Sequence, residues 1–292
     1  MNMLIDLLIG GLSIGACYTL IAMSMVIIYK TSEVPNFAQG EMAMMSTFIA
    51  WALMDGYGLG FWTTAGATLV FAACLGAVLE LAFLRPAKDP TILSLIVITL
   101  GAEMILYGLA GWKWGANQRP FPVPFSEYEG FRFGDVMITE TNLWTFLVSL
   151  AIMGLLFLFF RYSKLGIAMK AVQQNPFAAK AMGIPTRNIL TFTWALSSAV
   201  GAVAGMLIAP IATLDPNMML DPMLKGFAAS VLGGMTSLPG AAAAGYLLGI
   251  IENLFGGYIS LEFKSVVAFA VIVLILCVRP SGLFVKHFHR KV

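Results

Sequence analysis

Four carboxyl side chains, Glu41, Glu80, Glu103 and Glu252, lie in or beside long apolar runs, with Asn36, Gln39 and Asn253 close to them in sequence. An ionised carboxylate at the centre of a bilayer costs about 2.5–3.5 kcal/mol, so such groups should face the protein interior or a water-filled path. As a set the seven residues suit a translocation path for a zwitterionic or polar solute. Without a paired basic partner in the spans, the four acids equally suit a proton relay. Each alone also reads as a hydrogen-bonded or protonated helix-packing group. Catalytic chemistry has little else to draw on. The two histidines, His287 and His289, sit in a basic C-terminal tail, and no HExxH, nucleotide-binding Gly-rich loop or intramembrane Ser/His pair is present. Cys17, Cys74 and Cys277 fall in apolar runs without metal-type spacing and read as small hydrophobes. Neither an enzyme, a resident cofactor nor a metal site is expected.

A second set of residues suits a contact rather than a reaction. The basic, amphipathic segment 161–188 contains a short helix with stop and start signals at both ends. Asn175 can cap it, Pro176 fits its first position, and Phe177, Ala178, Ala179 and Lys180 lead into it. Gly183 supplies a left-handed exit, and Pro185 prevents continuation. A two-turn helix is unstable alone in water and needs a surface to dock on. An ordinary surface helix between two spans would carry the same signals.

The elements that must position these residues are membrane helices. The 292-residue chain is 59% hydrophobic and 11% charged, against roughly 25% charged in a soluble domain. Its mean hydropathy is +0.87. A soluble fold of this size would lack the charges to cover its surface. A span needs about 20 apolar residues, and nine segments qualify: 7–29, 36–54, 61–84, 91–111, 142–160, 189–213, 223–237, 240–258 and 263–279. The second, holding Asn36, Gln39 and Glu41, and the seventh, interrupted by Gly233-Gly234, read as broken or re-entrant. The fold class is therefore all-α, a single polytopic domain (1–292) with about eight or nine transmembrane or re-entrant helices. No basic residue precedes Lys30, so the first run lacks the n-region of a cleaved signal peptide and stays as a span.

Orientation follows from Lys and Arg. With the N-terminus outside, twelve of the 17 fall inside: Lys30, Arg85, Lys88, Arg161, Lys164, Lys170, Lys180, Arg187, Arg279, Lys286, Arg290 and Lys291. Lys113, Arg119, Arg132, Lys225 and Lys264 fall outside. Loop 112–141, with Trp112, Trp114, Glu127, Glu129, Asp135 and three prolines, becomes an external cap, while loop 161–188 and tail 280–292 become cytoplasmic. The basic residues track topology and give no reason to expect nucleic acid. Gly10, Gly11, Gly15, Gly201 and Gly205 lie in helices and read as packing surfaces. Leu75–Leu81 echoes Leu248–Leu254, each before an Arg-Pro pair, which suggests an internal repeat as readily as chance.

Gly11-Leu-Ser-Ile-Gly-Ala-Cys-Tyr18, Ile28-Tyr-Lys-Thr-Ser32 and Asn36-Phe-Ala-Gln-Gly-Glu41 resemble the opening of branched-chain amino-acid ABC importer permeases. The similarity continues through Ala171-Val172, Ala181-Met-Gly-Ile184, Ala229–Ser237 and Arg279–Phe284, nearly the full length. It implies a bacterial inner-membrane permease working with cytoplasmic ATP-binding subunits, a second related permease, an extracytoplasmic solute-binding protein and membrane lipid. It also implies that Asn175–Gly183 is a coupling helix. Ala178, Ala179 and Gly183 match the spacing of a Glu-Ala-Ala-x-x-x-Gly pattern found there in many importers, with Phe177 in the Glu position as an apolar anchor. Permeases for urea or short amides look similar, and a proton-coupled carrier built on the four glutamates is the reading from another class.

Overall fold

A helix that is apolar all round belongs inside a bundle, and one with a single covered stripe belongs at its edge. The computed structural model, which describes residues 2–87, 91–125, 130–133, 136–279 and 282–283, sorts the helices in this way. Lys88, Glu127, Glu129, Asp135, His287, His289 and most of tail 280–292 lie outside the described residues. In chain order the helices are α1 (Asn2–Ser32), α2 (Gln39–Tyr57), α3 (Phe61–Leu79) and α4 (Ile92–Trp114). After these come α5 (Glu140–Tyr162), α6 (Lys164–Gln174), α7 (Pro176–Ala181), α8 (Thr186–Ala212), α9 (Leu220–Gly233), α10 (Leu238–Tyr258) and α11 (Lys264–Val278). A π-helical turn, Glu80–Leu84, extends α3. By length and composition six of them can cross a membrane: Met3–Ser32, Phe61–Leu84, Ile92–Trp114, Glu140–Tyr162, Thr186–Ala212 and Leu238–Tyr258.

The central helix is α1, buried without interruption from Cys17 to Ile28. It runs antiparallel to α10, with Gly11 facing Ile250, Gly15 facing Tyr246 and Thr19 facing Ala242. A Cβ on Gly249 would collide with the backbone of Gly15, so this crossing needs glycine on both sides. On α8, Gly201 and Gly205 admit Gln39, Ala43 and Thr47 of α2. The outer helices α3, α4 and α5 instead turn large apolar side chains outward, among them Val70, Leu93, Met104 and Leu155. In water this would be an aggregation hazard, whereas in lipid it is the expected surface.

Segment 112–141 is more than a plain loop. It carries a hairpin, β1 (Gly130–Phe133) against β2 (Val136–Thr139), antiparallel with Gly130 opposite Thr139. This is a small departure from the all-helical expectation. Arg119 and Leu214 exchange backbone hydrogen bonds of 3.0 and 2.9 Å, which ties the segment to the end of α8. The Arg119 guanidinium lies 4.5 Å over the Trp51 ring, and Phe125 stacks on Trp144.

Candidate functional site

The two weak spans form one junction. After α1 ends, Glu33 turns the chain at φ +57°, a left-handed conformation uncommon for a residue with a side chain. Segment 33–38 then runs back along the bundle, because Gln39 opens α2 at the level of Ser24 and Ser197. Ser24 lies eight residues before the end of α1, about 12 Å up the helix. The irregular backbone is covered by protein, with Val34, Asn36 and Ala38 all buried. Asn36 Nδ2 donates to Gln39 Oε1 (3.1 Å), and Gln39 Nε2 donates to the Ser197 carbonyl (3.2 Å). The Ser197 hydroxyl lies 3.1 Å from Gln39 Oε1 and 2.7 Å from the Ser24 carbonyl. The seventh segment, α9, packs onto this turn. Phe37 and Phe227 have ring centroids 5.7 Å apart, and a Cβ on Gly40 would stand 3.2 Å from Met223.

The remaining acids have separate surroundings. Glu80, at the start of the π-helical turn, accepts a hydrogen bond of 2.6 Å from the Thr191 hydroxyl on α8. Glu252 on α10 pairs with Lys225 on α9 at 2.6 Å, both side chains being 2% exposed. Lys225 also contacts Asp221 at 2.6 Å and stands 5.5 Å over the Tyr18 ring. Two expectations change here. Lys225 is a buried bundle cation rather than an external loop residue, and Glu252 is not an unpaired acid. The two echoing positions, Glu80 and Glu252, thus take unlike partners. Asn253 donates to the Leu7 carbonyl at 2.6 Å and braces α10 to α1. Glu41 on α2 and Glu103 on α4 are both partly buried. The buried Oε2 of Glu41 has no hydrogen-bond partner among the described residues. The buried Oε2 of Glu252 is likewise without a hydrogen-bond partner among the described residues, its Oε1 taking the bond from Lys225.

The short helix forms as its residues dictate. Asn175 Oδ1 accepts from the Ala178 N–H at 3.0 Å, and Pro176 occupies the first turn. Gly183, at φ +82°, donates to the Lys180 carbonyl while Ile184 donates to that of Ala179, both at 3.0 Å. This pair of bonds is a Schellman C-cap. The preceding helix, α6, is capped by Ser163, which accepts from Gly166 at 2.9 Å. Ala179 is buried in the protein's own core, while Phe177 and Met182 are 86% and 83% exposed. Sequence reasoning singled out Phe177 as an anchor but missed Met182, whose exposure on the C-cap depends on how α7 leans on the bundle.

A family model described as the permease component of branched-chain amino-acid transport systems matches residues 7–276. The high-affinity branched-chain amino acid transport system permease protein LivH of Escherichia coli (strain K12) is 30% identical over 291 residues, covering 94% of this chain and 93% of that protein. BraD of Pseudomonas aeruginosa, named as the permease of a high-affinity branched-chain amino acid system, is 29% identical with 94% of each chain covered. The probable permease LivH of Methanocaldococcus jannaschii is also 29% identical, over 94% of this chain and 90% of its own. Among solved structures, PsaBC from Streptococcus pneumoniae in complex with Fab aligns with TM-score 0.52 and 14% identity, over 96% of this chain and 93% of that one, a likeness of fold alone.

Proposed function

The chain belongs to the branched-chain amino-acid transport permease family, and we propose that it is the membrane-spanning subunit of an ATP-driven importer for branched-chain or related amino acids. Its partners in this reading are cytoplasmic ATP-binding subunits, a second related permease and an extracytoplasmic solute-binding protein. The observation that carries the reading is α7. A six-residue helix cannot sustain itself by propensity, yet this one is capped at both ends, anchored by Ala179, and holds Phe177 and Met182 out into solvent. A rigid stub bearing two large apolar side chains beside a basic helix suits insertion into a groove of a soluble partner. Closure of the ATPases would push on α7, and α8 would pass the movement to α2 through the Gly201–Gln39 and Gly205–Thr47 contacts. The junction at Asn36 and Gln39 is where such a movement would change access.

The orientation argued from basic residues, N-terminus outside and C-terminus cytoplasmic, gains support once Lys225 is removed from the external count, leaving four against twelve. Uptake of labelled leucine into proteoliposomes holding the whole complex tests the reading. ATP-dependent accumulation, competed by isoleucine and valine, is expected. Competition by urea or short amides alone would reassign the substrate, and accumulation that follows an imposed pH gradient and ignores ATP would overturn the reading.

A further inference from the structure

An open cavity of about 890 Å³ lies between α1, α5, α6 and α10, within the range of roughly 300–1,000 Å³ of small-molecule pockets. Its wall is apolar, built from Met23, Met153, Phe157 and Ala242 among others, and three cations line it: Lys30, Arg161 and Lys170. None of the three has a carboxylate partner among the described residues, where both ion pairs belong to Lys225. Aromatic faces support two of them instead, with Lys30 5.4 Å over Phe160 and Arg161 5.4 Å over Tyr162. Lys30 and Arg161 lie in the last turns of α1 and α5, at one end of two apolar helices long enough to cross a membrane. From Arg161 to Leu150, also on the wall, α5 runs about 16 Å, close to half of a hydrocarbon core of roughly 30 Å.

We propose that this cavity is a binding site for one anionic phospholipid, its phosphate held among Lys30, Arg161 and Lys170 and an acyl chain lying along the α5–α10 wall. Unpaired cations above an apolar slot one leaflet deep match a phosphate joined to a hydrocarbon chain. A zwitterionic lipid would add a cation to three already uncompensated ones, and a soluble anion would leave the slot unfilled. The inference rests on the chain spanning a membrane and is independent of the transported substrate.

The test is native mass spectrometry of the assembled transporter released from vesicles of mixed phosphatidylcholine and phosphatidylglycerol. One retained phosphatidylglycerol per chain is expected. Replacing the cations together (Lys30→Gln, Arg161→Gln, Lys170→Gln) should lower retention roughly 100-fold. Gly154 also lines the cavity, and a Cβ there meets nothing within 4 Å, so Gly154→Leu should fill the slot without disturbing the fold. It should lower retention with every charge intact. Inorganic phosphate should not displace the lipid. Equal retention of phosphatidylcholine, displacement by phosphate, no retained lipid, or a Gly154→Leu variant that binds as wild type would each overturn the assignment. A cross-link from a cysteine at Gly154 to another subunit would overturn it too, by showing that protein covers the slot. Leucine uptake measured on the same samples separates failure of this site from failure of the transport reading.

Discussion

Lys225 Nζ lies 2.6 Å from Glu252 Oε1 across the packed faces of α9 and α10, with both side chains shielded from solvent. A buried pair repays its desolvation only while both members are present, and removing one leaves an uncompensated charge costing about 3–5 kcal/mol. Lys225→Met strands Glu252 and should destabilise the complex by that order. Glu252→Gln should cost less, because Asp221 still contacts Lys225. Lys225→Met combined with Glu252→Leu should recover most of the loss. Thermal unfolding of the detergent-solubilised complex provides the double-mutant cycle, and additive single effects would show that the pair carries no coupling.

The junction at the start of α2 should behave as a strut. Gln39→Ala removes the acceptor of the Asn36 amide and the donor to the Ser197 carbonyl at once, among buried side chains. A buried polar group left unsatisfied costs about 1–3 kcal/mol. Ser197→Ala should cost less, since Asn36 keeps Gln39 as acceptor. A Gln39→Ala variant with wild-type melting and altered substrate preference would instead place Gln39 on the path.

Docking and folding separate on α7. Ala179 faces inward, so Ala179→Asp buries an unpaired charge and should reduce the amount of folded permease. Phe177→Asp and Met182→Asp alter only exposed positions. Both should leave permease in the membrane at normal levels while ATPase co-purification and uptake fall. Undiminished co-purification of the Phe177→Asp, Met182→Asp double variant would remove α7 from the coupling contact.

Topology can be read by labelling single cysteines after Cys17, Cys74 and Cys277 have been replaced. Asn117, exposed just beyond α4, and Lys180, exposed on α7, lie on opposite sides in the proposed orientation. A membrane-impermeant maleimide should label Asn117→Cys in intact cells and Lys180→Cys only after permeabilisation. The reverse pattern would invert the chain.

What could be read from the sequence follows the range of the forces involved. Spans are legible because burial in lipid demands about 20 apolar residues in a row, and the caps of α7 because capping is local. The weakness of segments 36–54 and 223–237 was also visible in their polar and glycine residues. Their mutual contact through Phe37 and Phe227 was not, since it joins residues 190 apart in the chain. Lys225 was misplaced for a related reason. At the start of a short, broken run a lysine looks like a loop charge, and only the packing of α9 on α10 brings it to Glu252. Ala179 shows the lower limit of periodicity, because six residues give too few turns to say which side faces the bundle.

The carboxyls that remain are Glu41 and Glu103, and on them the two energy-coupling readings diverge. Glu252 has a fixed cation as its partner and Glu80 a hydroxyl donor. Glu41 and Glu103 are partly buried, and one Glu41 oxygen is without a partner among the described residues. Glutamine keeps their shape and hydrogen-bonding capacity but cannot titrate. In an ATP-driven permease, Glu41→Gln and Glu103→Gln should each retain substantial uptake, and a protonophore should not abolish accumulation while ATP is maintained. In a proton-coupled carrier, at least one of the two should lose accumulation against a gradient, and the protonophore should stop it in the wild type. Proteoliposomes with ATP supplied on the side of the ATPases, and with the pH gradient set independently, measure both. Equal ATP-driven uptake by wild type and both variants is the result expected of the proposed importer, in which the energy would enter through α7 and not through these carboxyls.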